Sequence, residues 1–227
     1  MGGLAYHVLN RAVGRSRLFE KDADYKSFER VLAEAVQRTA TRVCCYCVMP
    51  NHWHLVVWPR ADGELSEFVR WLTVTHTQRW HANRHTAGTG PVYQGRFKSF
   101  PIERDGHFLR VCRYIERNAL RAGMVERAET WPWCSLWRRR QNLTIGEKPF
   151  LLSTSAWPVE PPRDWVAAVN RGESQEELDT LRSCVRRGAP FGRPEWQKRT
   201  AMRLGLESSL RPRGRPRKEN KGEGGNK

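Results

Sequence analysis

The stretch Cys47–Pro59, "CVMPNHWHLVVWP", decides the fold. Two apolar runs meet inside it: "RVCCYCVM" over Arg42–Met49 and "HWHLVVW" over His52–Trp58. Each is short and rich in β-branched or aromatic residues, which predicts a strand. The Pro50-Asn51 link between them is too short for a crossover, so the two strands pair as an antiparallel hairpin. On a strand, His52 and His54 point the same way, about 6.6 Å apart at ~3.3 Å rise per residue. Trp53 and Leu55 point to the other face. Two imidazoles in register can chelate one divalent metal; the ordinary alternative is a pair of satisfied histidines on a half-buried strand.

Outward from the hairpin, "YHVLNRAV" (Tyr6–Val13) predicts a first strand. In "DADYKSFERVLAEAVQRTA" the apolar residues Tyr25, Phe28, Val31, Leu32, Ala35 and Val36 recur at helical spacing, with Asp22 or Asp24 as N-cap. Glu64–His85 predicts a second helix, with Leu65, Phe68, Val69, Leu72 and His76 as its stripe. "RFKSFPIE" (Arg96–Glu103) predicts a fourth strand, and Asp105 caps a third helix that Gly123 stops. The order β-α-β-β-α-β-α implies an α+β fold of the ferredoxin-like, split βαβ kind: an antiparallel sheet with helices packed on one face.

The chain has 227 residues, with 40 Lys+Arg against 24 Asp+Glu and a net charge of +16. Its mean hydropathy is −0.72. No run approaches the roughly 18 apolar residues of a membrane helix, and the N-terminus lacks signal-peptide character. A cytoplasmic protein that meets a polyanion, nucleic acid first, is expected. The cysteines are at 44, 45, 47, 112, 134 and 184. On a strand Cys45 and Cys47 share one face and Cys44 takes the other, which is poor metal geometry. Small buried hydrophobes in a reducing compartment are expected.

The texture changes near residue 140. Residues 1–140 read as one catalytic domain, 141–210 as a linker and helical basic region, and 211–227 as a disordered basic tail. Helices are expected near Ser174–Arg187 and Arg193–Leu206. Arg182–Lys218 holds 12 Lys+Arg against 2 Asp+Glu and so supplies +10 of the total. In the tail, "GRPR" with Arg213, Arg215 and Arg217 resembles an AT-hook core suited to a narrow minor groove. The alternative is a polycation that adds affinity only by counterion release.

The third helix carries a second set of chemistry-bearing residues. At about 100° per residue, Phe108, Cys112, Ile115 and Ala119 gather on one side. Arg110, Arg113, Arg117 and Arg121 gather on the other. Tyr114 and Asn118 stand one turn apart along the edge of that stripe. A row of guanidinium groups beside a tyrosine suits a phosphodiester, although a surface arginine ridge with a boundary tyrosine is the ordinary reading. A tyrosine can attack phosphorus to give a phosphotyrosine and a free 3′-hydroxyl. With a phenol near pKa 10 it needs help, which a divalent cation supplies. His52, His54 and the amide oxygen of Asn118 offer three ligands, and mixed N/O donors admit Mg²⁺ or Mn²⁺.

"MPNHWHLVVWP", "GRFKSF" and "RYIERNALRAGMVERAETWPWCS" resemble the HUH single-tyrosine transposases, and most closely their REP-associated branch. The resemblance covers roughly Tyr6 to Trp137. It places the nucleophile on Tyr114, the paired histidines on His52 and His54, and a polar metal ligand on Asn118, where the wider family more often has glutamine. "YIERNALRAG" departs from the commoner "YIHLNPVRAG" at Glu116 and Ala119.

The resemblance implies an endonuclease and transposase that cleaves and rejoins single-stranded DNA at short palindromic repeats folded as hairpins, as a monomer or homodimer. It implies a divalent metal, no organic cofactor, no membrane partner and a nucleoid-associated location. Arg96, Lys98, Arg110, Arg113, Arg117 and Arg121 are then expected on the DNA, with Tyr93 and Gln94 nearby. The rivals are a domesticated hairpin-binding protein without chemistry and a metal hydrolase using activated water.

Overall fold

In the computed structural model, which describes residues 1–39, 41–141 and 157–211, four strands form one antiparallel sheet. They are β1 (Ala5–Arg11), β2 (Arg42–Met49), β3 (His52–Trp58) and β4 (Lys98–Ile102), in the order β2-β3-β1-β4. Helix α1 (Asp22–Thr39) follows β1 and α2 (Glu64–Arg84) follows β3. This is the expected α+β topology.

Alternation along the strands sorts the core into two layers. Tyr6, Val8, Tyr46, Val48, Trp53, Leu55 and Val57 face α1 and α2. The expectation of helices on one face holds for that layer alone. The other face is also covered, because its residues Ala5, Cys47, Val56, Phe100 and Ile102 are themselves apolar and need a partner layer. Helix α3 (Gly106–Glu116) supplies it with Phe108, Val111 and Ile115, and Trp157, Trp165, Leu181 and Phe191 of the C-terminal region complete it.

Asp105 caps α3 by accepting from the His107 amide at 2.8 Å. Arg117 (φ −84°, ψ −1°) then separates α3 from a short α4 (Asn118–Arg121), so the single expected helix is two segments. Beyond these lie α5 (Ser135–Arg140), α6 (Trp165–Asn170), α7 (Gln175–Arg187), α8 (Pro194–Leu204) and α9 (Glu207–Leu210).

Cys44 departs from the alternation. A register shift between Val43 and Cys45 puts Cys44 in the same layer as Cys45 and Cys47. An extra residue in one strand of a ladder turns the next side chain over. All six cysteines are buried and free. Burial pushes the Cys44 thiol far above its usual range, so the thiols pack as small hydrophobes.

Candidate active site

The sheet register sets the site. Leu9 lies opposite His54, and Arg11 opposite His52. His7, Leu9 and Arg11 therefore share the face that carries the two imidazoles. Helix α3 crosses that face and carries Tyr114 into it. His52, His54, Tyr114 and Asn118 all line one cavity of about 740 Å³. The Tyr114 ring lies edge-on to His54, with centroids 6.1 Å apart. Tyr114 and His54 are buried at 8% and 5% exposure.

Each imidazole is held by its Nδ1. His52 Nδ1 is 2.6 Å from Asn51 Oδ1, an acceptor, so that nitrogen carries the proton. His54 Nδ1 is 2.8 Å from His7 Nε2. The His7 and His54 rings are nearly coplanar (12°) with centroids 5.0 Å apart. That is an edge-to-edge N–H···N bond, not a face-to-face stack. In both, Nε2 has no hydrogen-bond partner among the described residues.

Burial drives His52 down to about 4, with the cations Arg11 and Arg121 adding to it. Burial also drives His7 to about 3 and His54 well below its ordinary value. The rings are neutral at neutral pH; His52 Nε2 keeps a lone pair for a cation, as does His54 Nε2 in the tautomer whose Nδ1–H donates to His7. This donor set fits a divalent ion. Asn118 fits less simply: its Oδ1 accepts from Arg121 at 2.9 Å, so one lone pair is left for a metal. Its Nδ2 is buried with no partner among the described residues.

Arg121 is an inward-facing residue. Its guanidinium lies 4.0 Å from the Tyr114 ring centroid and donates to the Tyr114 carbonyl at 3.1 Å. It also pairs with Glu173, as does Arg117, while Arg113 pairs with Glu177. The expected arginine ridge is thus largely neutralised by acids from the C-terminal region. Arg110 stays exposed, away from the cavity. Arg96 and Lys98 line the cavity, as does Gln94. Arg213, Arg215 and Arg217 lie outside the described residues.

Tyr93 is a core anchor, not a surface group. Its hydroxyl accepts from Trp53 Nε1 at 3.1 Å and donates to His76 Nδ1 at 2.7 Å. Two hydrogen bonds to buried groups hold the loop that bears Gln94 and Arg96. Burial drives His76 down to about 3, with Arg84 adding to it and Asp24 opposing. An unfolded imidazole takes a proton near pH 6.5, which folded His76 refuses. Its contribution is therefore full above about pH 6.5 and falls by about 1.4 kcal/mol per pH unit down to about pH 3. The urea midpoint should drop more steeply with acid in the parent protein than in His76→Gln. Equal slopes would refute this.

Sequence reasoning missed His7 and Asn51, which touch the cavity's imidazoles, and Arg11 with two arginines of α7, Arg182 and Arg186, which line the cavity. The signal for His7 and Arg11 was present: they alternate with Leu9 on one strand face. Glu103, Asp105 and His107 form a second cation-sized cluster within 4.8 Å. There Asp105 is the α3 cap, and Glu103 is tied to Arg193 at 2.6 Å.

Residues 1–118 match the family model described as "Transposase IS200 like". A solved REP-associated tyrosine transposase bound to a REP hairpin is similar in fold, with 20% identity and a TM-score of 0.53 over 66% of this chain and 85% of that one. A transposase candidate from Deinococcus radiodurans R1 aligns at 17% identity and a TM-score of 0.38, over 50% of this chain and 89% of that one. No curated protein matches the sequence. No described helix is long and apolar enough to cross a membrane.

Proposed function

The chain belongs to the IS200-like transposase family, and from that premise we propose that it cleaves and rejoins single-stranded DNA at hairpin-forming, REP-like repeats through Tyr114. The observation that carries this reading is the meeting of Tyr114 with His52 and His54 in one cavity whose charged side chains are all cationic. The hairpin held by the structurally similar transposase supports the substrate class.

The Tyr114 oxygen attacks phosphorus and a new P–O bond forms. The bond to the 3′ oxygen breaks; that oxygen leaves as a hydroxyl, gaining one proton as the phenol loses one. The 5′ phosphate stays on the tyrosine. Attack by a 3′-hydroxyl reverses the step and joins strands. Mg²⁺ or Mn²⁺ held by His52 and His54, with the Asn118 oxygen, would neutralise charge on the non-bridging oxygens. Arg121 fixes the ring by lying over it, and Arg11, Arg96 and Lys98 bind the flanking backbone. One chain holds the whole set, so a monomer suffices. A chromosomal DNA substrate places the protein in the cytoplasm, on the nucleoid.

The test is a hairpin oligonucleotide with a single-stranded flank, labelled and mixed with the protein and Mn²⁺. A covalent adduct should survive on a denaturing gel. EDTA should lower its formation by at least about 10²-fold, and added Mn²⁺ should restore it. Equal hairpin affinity with and without EDTA, together with no adduct under Mn²⁺, would identify a binding protein without chemistry.

A further inference from the structure

Helix α7 is tied down at both ends. At its N-terminus Ser174 and Glu177 form a capping box. Arg113 bonds Glu177 at 3.0 Å, and buried Glu173 bridges Arg117 and Arg121 at 3.3 and 3.4 Å. At its C-terminus Gly188 takes the left-handed conformation (φ 67°). The chain then runs along β4, where the Phe191 amide bonds Pro101 O at 2.9 Å and Glu103 N bonds Phe191 O at 2.9 Å. Leu181 and Cys184 bury the inner side of the helix.

This docking fixes where the remaining face of α7 points. Arg182 and Arg186 are one turn apart on the same side of the helix, and both line the cavity that holds Tyr114. Both are exposed. Arg182 has one weak i, i+3 partner, Asp179, at 3.7 Å. Among the described residues no carboxylate lines the cavity. Arg11, on the same cavity, has a buried Nε with no partner among the described residues. A buried, unpartnered guanidinium nitrogen in an all-cationic cavity is a donor suited to an anion.

We propose that Arg182 and Arg186 of α7, with Arg11 of β1, form a phosphodiester-binding subsite for the strand entering the cavity. The inference rests on the DNA-processing reading and deepens it. The C-terminal region is then a wall of the site, and the acids Glu173 and Glu177 serve to hold that wall on the catalytic helix. The ligand is the backbone of a single strand, recognised by charge and without reading of bases.

The experiment uses the full chain as Tyr114→Phe, so that binding is read without cleavage, and follows the anisotropy of a labelled single-stranded oligonucleotide across a salt series. R182A/R186A should weaken binding about tenfold at low salt and flatten the log–log salt slope by about 1.4, the value for two lost contacts on a single strand. R182K/R186K should recover most of the slope, since charge is retained. K198A/R199A, on the exposed side of α8, should leave binding unchanged. Equal losses from the α8 and α7 pairs would overturn the subsite in favour of a diffuse polycation. Normal binding by R182A/R186A would overturn it outright while leaving the transposase reading intact. An oligonucleotide that does not bind the parent chain would overturn both.

Discussion

Tyr114→Phe is expected to keep the fold and to lower strand cleavage and adduct formation by on the order of 10³-fold or more, the scale seen when a nucleophile is removed from a preorganised site. The ring makes the packing contacts: it is edge-on to His54 at 6.1 Å and to His7 at 6.3 Å, with Arg121 above it at 4.0 Å. Phenylalanine keeps all of these. The hydroxyl makes no hydrogen bond among the described residues, so its loss should change stability by less than about 1 kcal/mol. The two effects therefore separate: a urea midpoint near that of the parent, with no band that survives denaturation. Cleavage that persists in the variant and releases a free 5′ phosphate would mean that water, not Tyr114, is the nucleophile.

The largest effect on stability is expected two residues further on. Glu116 is fully buried and accepts from Trp165 Nε1 at 2.8 Å, from the Ser135 hydroxyl and from Arg139. Ser135 in turn accepts from the Tyr46 amide at 3.0 Å. One carboxylate thus joins α3, β2, α5 and the C-terminal α6. Glu116→Ala would leave the Arg139 charge, with its side chain only 15% exposed, without a counterion. Breaking such a buried pair costs about 3–5 kcal/mol. Urea unfolding should show a loss of that size, and near-UV circular dichroism should lose the signal of an immobilised Trp165. Glu116→Gln keeps the shape and one acceptor, and should fall between the two. A midpoint unchanged in Glu116→Ala would remove Glu116 from the account of how the two regions are joined.

Much of the frame can be read from the chain. A strand repeats every two residues, so "HWHLVVW" determines that His52 and His54 share a face and that Trp53 and Leu55 take the other, where they join the α1–α2 core. A helix repeats every 3.6, so the spacing of Tyr114 and Asn118 sets them on one side, and both line the cavity although Arg117 divides the expected helix into α3 and α4. The Pro-Asn link fixes a hairpin, and the order of elements fixes an antiparallel α+β sheet. In each case the information lies in a side chain's direction relative to its own element, which a few neighbouring residues set.

What surrounds those groups is decided by elements far apart in the chain. His7 meets His54 across 47 positions, and Arg121 turns to Glu173 across 52. Helical period through α3 and α4 puts Arg113, Arg117 and Arg121 on a polar side; it cannot say that this side meets acids instead of solvent, or that Arg121 turns in over Tyr114. Nor does the period of β2 reveal the irregularity at Val43–Cys45 that turns Cys44 over. Arg182 and Arg186 read as part of a diffuse basic excess until α7 is seated between α3 and β4. Pattern along the sequence gives each element its own apolar and polar sides. Which polar sides confront one another follows only from the three-dimensional packing that buries the apolar ones.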